Sequence, residues 1–120
     1  MENTNLLMLA MMNFFRRKTE PTVEALLGDW DLIQCDDPSM RGENGTSASF
    51  DRDGNLIYTF HQKDKDQIIV LTYRVEDNFL VTNQPSHPRE ERTQFTIDHL
   101  GRLVLSYDGS EGIFRRKDQE

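Results

Sequence analysis

Three histidines, one cysteine and several adjacent carboxylates are the side chains of this 120-residue sequence that could carry chemistry. Imidazole is the commonest metal ligand, so His61, His87 and His99 first raise a metal or haem site. Their spacings fit no ligand pattern; His99 adjoins a turn and His87 stands between prolines, which predicts solvated loop histidines. Asp51-Arg52-Asp53-Gly54-Asn55 begins as a calcium loop does, but Leu56 and Gln62 occupy the sixth and twelfth positions, where Gly and Glu are required. A tight turn is expected there instead. Cys35 is followed by Asp36 and Asp37, whose charges disfavour a thiolate, so it reads as a plain strand residue. Asp36 with Asp37 and Glu90 with Glu91 are paired only in sequence, the pattern of a solvated surface, and no serine sits in a Gly-x-Ser-x-Gly turn. No catalytic residue, metal ligand or cofactor is therefore assigned, and an enzyme is not expected.

The elements that would position any site are mostly strands. Pro21 suits a first helical turn, Glu20 and Glu24 suit its positive end, and Gly28 is a natural stop, which predicts a short helix over about 20–27. Val23, Leu26 and Leu27 would share one face of it and close one end of a barrel. Strands are expected over Trp30 to Cys35, Thr46 to Asp51, Leu56 to His61, Gln67 to Val75, Phe79 to Thr82, Arg92 to Asp98, Arg102 to Tyr107 and Gly112 to Arg116. Asp53-Gly54-Asn55 is a strong hairpin signal, and further turn signals recur about every ten residues. Such a meander predicts an all-β fold, a small up-and-down antiparallel β-barrel of about eight strands after a short N-terminal helix. The stretch from Asn83 to Glu91, with two prolines, is expected to be a long extended loop, either functional or a stiff linker.

Alternation along the strands places Tyr58, Phe60, Tyr73, Phe95 and Tyr107 as aromatic candidates for the barrel interior. They would either line a ligand pocket whose hydroxyls orient a guest or simply form the core.

Gly28-Asp29-Trp30 opening the first strand, the meander after it and Phe114-Arg115-Arg116 on the last strand together resemble the calycin superfamily, in particular compact bacterial lipocalin-like domains. The resemblance covers roughly residues 22–117. It implies that Trp30 lies at the closed end of the barrel, that Gly28 opens the strand there, and that Arg115 or Arg116 packs across the indole, a contact of about 0.5–2 kcal/mol. The Arg-x-Tyr pattern with which fatty-acid-binding proteins hold a carboxylate is replaced by Phe114-Arg115-Arg116-Lys117, so fatty-acid binding is not carried over.

A formal net charge of −7 argues against binding phosphate backbones, so no nucleic-acid partner is expected. A single cysteine allows no internal disulfide, which fits a reduced, cytoplasmic setting. Length allows one domain, a barrel over 19–120, preceded by an apolar then basic segment over 1–18. Leu6, Leu7, Leu9, Met11, Met12, Phe14 and Phe15 with Arg16, Arg17 and Lys18 are too short a run to span a bilayer. That segment could cover the barrel mouth, join a homo-oligomer, lie on a membrane surface or be a frayed terminus. Two functions stay open: a lipocalin-like binder of a small apolar molecule, and an interaction module with a filled barrel acting through its surface or this segment.

Overall fold

The computed structural model describes residues 22–117, in which eight antiparallel strands close into one barrel. They are β1 (Gly28–Cys35), β2 (Thr46–Phe50), β3 (Asn55–Phe60), β4 (Gln67–Glu76), β5 (Phe79–Gln84), β6 (His87–Ile97), β7 (Leu103–Tyr107) and β8 (Ser110–Arg116). Each pairs with its neighbour in sequence, and β1 pairs with β8, so the expected all-β meander is a closed barrel. Ahead of it stands one short helix, α1 (Val23–Leu26), capped by the Thr22 hydroxyl accepting from the Ala25 N–H at 3.1 Å. A 3-10 turn, Pro38–Met40, follows β1. The predicted first turn at Glu20 and Pro21, and the whole segment 1–18 with its proposed membrane or oligomer contacts, lie outside the described residues. No helix among the described residues is long and apolar enough to cross a membrane.

The register sets the inner face. Trp30 opposes Ala48 and Arg116, Leu32 opposes Phe114, and Phe50 opposes Leu56, so alternate residues of every strand point inward together. Trp30, Phe95, Phe114, Leu26, Leu56 and Leu103 are fully buried and fill the half of the barrel beneath α1. Each such side chain contributes about 1.5–3 kcal/mol by leaving water. Phe50 and Tyr73 meet edge to face there at 5.2 Å, and the Tyr73 hydroxyl donates to the Asp51 carbonyl at 2.7 Å. In β1 an extra residue at Ile33 shifts the register between Leu32 and Gln34 and leaves Ile33 exposed.

One expectation is corrected. Asn83 to Glu91 is not a loop: Pro85 and Ser86 form a tight turn, and the rest of the stretch pairs as the ends of β5 and β6. Backbone ladders need no apolar side chains, and His87 to Arg92 are all exposed, so no hydrophobic alternation marked the strand. Pro88, which has no N–H, sits where the β5–β6 register shifts, a place a ladder tolerates it. The neighbouring Arg89 N–H donates to Asn83 Oδ1 at 2.8 Å instead.

Candidate ligand-binding site

The two ends of the barrel are built differently. At the α1 end the Trp30 indole N–H donates to the Leu26 carbonyl at 2.8 Å, which fixes the ring under the helix. Arg116 lies over the ring, its guanidinium carbon 4.3 Å from the centroid, and donates to the carbonyls of Leu27 and Ala25. Those carbonyls belong to the helix end, where no helical partner exists, so one side chain stacks on the indole and caps the helix. Gly28 holds φ +114°, which favours glycine, and a Cβ there would lie 3.1 Å from Arg116 Nη1. Arg115 points outward, one residue out of phase, and is exposed.

At the opposite end the interior is open. A cavity of about 700 Å³ is lined by Tyr58, Leu71, Leu80, Thr82, Glu91 and Thr93, with Tyr107, Asp37, Ser39 and Met40 at its rim. It also reaches the outer-face residues Phe79, Arg92, Gln94 and Ser106, where β6 runs past its pairing with β7. A second recess of about 380 Å³ shares Leu71, Thr82 and Glu91 and extends to His87 and Arg89. The five aromatic candidates all lie on the inner face, but they divide between the two ends. Tyr58 and Tyr107 line the cavity; Tyr73 and Phe95 belong to the packed core; Phe60 is half-buried beside Tyr58, ring centroids 6.3 Å apart. Burial pushes the Tyr58 phenol up, and the charges of Tyr107 and Glu91 add to it. Burial also raises Tyr107, with Asp37, Cys35, Glu91 and Asp108 contributing. Both phenols therefore stay neutral near neutral pH. Among the described residues neither hydroxyl has a hydrogen-bond partner within the protein.

Glu91, Thr82 and Thr93 were not among the candidates. Glu91 is exposed, as a solvated carboxylate pair predicts, but it belongs to a strand and not a loop: it opposes Thr82 across the β5–β6 ladder, and Thr82 opposes Tyr73 of the core. The signal lay in parity: extending the strand of Phe95 and Ile97 backwards by twos reaches Thr93 and Glu91.

His61 lies in the β3–β4 connection, one residue past the end of β3, and its ring is not free in solvent but engaged on both sides. Its Nε2 lies 3.0 Å from Ser47 Oγ and its Nδ1 lies 3.2 Å from Asp66 Oδ1. Serine, imidazole and carboxylate in that order match a nucleophile, base and orienting acid. Ser47, however, lies within β2 and is paired on both sides, opposite Asp31 and Thr59, is only 9% exposed, and donates its hydroxyl to Asp31 Oδ1 at 3.0 Å. Its hydroxyl is thus already committed within a strand paired on both sides. The group is a hydrogen-bond chain tying β1, β2 and the β3–β4 connection. His87 and His99 are exposed, and among the described residues no three metal-ligating side chains converge. Cys35 is buried at the open end, with Arg41 Nε 3.2 Å from its sulfur, a cation its neighbours in sequence did not reveal.

Comparison with known protein families, curated proteins and solved structures gives no match to this chain.

Proposed function

We propose that the chain is a lipocalin-like carrier or sensor that holds one small, largely apolar molecule in the open half of its barrel. The observation that carries this is the cavity of about 700 Å³ facing away from the Trp30–Arg116 closure, within the size range of small-molecule sites. Leu71 and Leu80 supply an apolar floor, and two unpartnered tyrosine hydroxyls supply the few polar groups that orient a guest. The calycin resemblance supports the same reading, because it implies an indole and a last-strand cation at the closed end, and Trp30 and Arg116 stack there. Native mass spectrometry of the full chain purified from its own host tests it, together with uptake of the neutral fluorescent dye phenylnaphthylamine. A retained small molecule or saturable dye uptake is expected; a bare protein that takes up no dye overturns the reading.

A second reading, an interaction module working through its surface, draws on Ile68 and Val70, which are 60% and 49% exposed on the outer face of β4. They are neighbours on one face with Ile57 of β3, which opposes Val70. Ile68→Lys with Val70→Lys should then abolish self-association or partner capture while leaving dye uptake intact; unchanged association by sedimentation rules it out.

A further inference from the structure

Resting on the reading of the barrel as a ligand carrier, we propose that its guest is an apolar molecule bearing a protonated amine, with the ammonium at Glu91 beside Tyr58 and Tyr107.

The placement of Glu91 is the starting point. Its neighbours Glu90 and Arg92 point outward and are already engaged, Glu90 with Arg74 at 3.2 Å and Arg92 with Glu76 at 2.9 Å. Glu91 faces the other way, exposed at the mouth of the cavity, and among the described residues it has no ion-pair or hydrogen-bond partner. An entering cation can reach its carboxylate there.

The other charges at the cavity act in the same direction. Asp37 and Asp108 stand at its rim, and the one arginine that borders it, Arg92, is committed to Glu76 and stacked 4.9 Å over the Phe79 ring. Arg89 lies in the adjoining recess but makes no ion pair with Glu91. The local field is therefore negative. It attracts a cation and repels a fatty acid or phosphate. The tyrosines suit the same guest, because neutral phenol rings present negative faces to a cation and their oxygens accept from an ammonium N–H. Leu71 and Leu80 lie beyond them to receive an apolar tail.

The full chain loaded with phenylnaphthylamine should be titrated at neutral pH with decylamine, decanol and decanoate, three guests with one tail and different heads. Decylamine should displace the dye at a concentration about tenfold or more below decanol, the weight of one charged hydrogen bond, and decanoate should be the weakest. Glu91→Gln should bring decylamine to the level of decanol. This variant removes an exposed charge that has no ion-pair partner among the described residues, so its urea midpoint should not fall. Equal displacement by all three heads, or a preference for decanoate, overturns the amine proposal while leaving the carrier reading intact. Saturable dye uptake with a decylamine preference that survives Glu91→Gln also overturns it, since the selectivity then arises elsewhere. A protein that takes up neither dye nor any of the three guests overturns the carrier reading itself, and the amine proposal with it.

Discussion

Arg116 stacks on Trp30 at 4.3 Å and, with the same guanidinium, holds the carbonyls of Ala25 and Leu27. One side chain of the last strand thus locks the first strand and the helix that lids it. Arg116→Met keeps the length but loses the charge and leaves two helix-end carbonyls without donors. It should destabilise by about 2–3 kcal/mol, the sum of a cation–π contact and the lost hydrogen bonds. Trp30→Ala should cost about 3–5 kcal/mol through the cavity it leaves. In a double-mutant cycle by urea unfolding the two should couple by about 1 kcal/mol or more. Strict additivity would mean that Arg116 acts on the helix alone.

Gly28 answers a different question about the same corner. Gly28→Ala forces an L side chain to φ +114° and brings its Cβ to 3.1 Å from Arg116 Nη1. A loss of about 1–3 kcal/mol is expected. Introducing Arg116→Met as well should relieve the contact and not the backbone strain. A double variant that recovers all of the Gly28→Ala loss would show that strain at φ +114° contributes nothing.

Much of this closure was legible in the residues. The turn signals order the strands, and Gly28-Asp29-Trp30 with a basic last strand marks the lidded end. The choice of Arg116 over Arg115 follows from parity once Phe114 is known to point inward, which only the register with Leu32 establishes. Glu91 was hidden for a similar reason: the outer end of its strand has no apolar alternation to reveal it. His61 finds Ser47, fourteen positions away, only because β2 and β3 pair. Val81 is buried although its register places it on the outer face, where Arg74 and Arg92 oppose it and bridge Glu76. Whether the interior is filled or open depends on how side-chain volumes sum across eight strands, and no local pattern reports that sum.

Two hairpin turns at the lidded end predict an acid response. Hydrogen bonds from the Asn55 backbone N–H and side-chain amide hold Asp51 below its ordinary value. At Asp98 burial pushes upward, but it is outweighed by the backbone and side-chain donors of Arg102 and by the Leu100 N–H. A carboxylate lowered in the folded state contributes stability above its unfolded value, and that contribution is lost as pH falls through the folded value. The urea midpoint should therefore drop between about pH 5 and pH 3. Asp51→Asn with Asp98→Asn should lower the midpoint at neutral pH and flatten the drop. A drop as steep as in the native chain would assign the acid response to other carboxylates.

The open half of the barrel can be tested by filling it. Thr82 is half-buried, faces the cavity and stands opposite Glu91, so Thr82→Trp would place an indole in space that no side chain occupies. In a filled interior an added ring forces its neighbours off their rotamers at a cost of about 1–3 kcal/mol. In an open one the ring gains contacts and the urea midpoint should hold. Phe95→Trp in the packed half is the control, because Phe95 is fully buried and enlargement there should show the overpacking loss. Thr82→Trp should also reduce phenylnaphthylamine uptake at least about tenfold, since guest and indole would compete for one volume. Equal destabilisation by both substitutions would mean that the barrel is filled from end to end. A stable Thr82→Trp that binds dye as well as the native chain would mean that the dye sits somewhere other than this cavity.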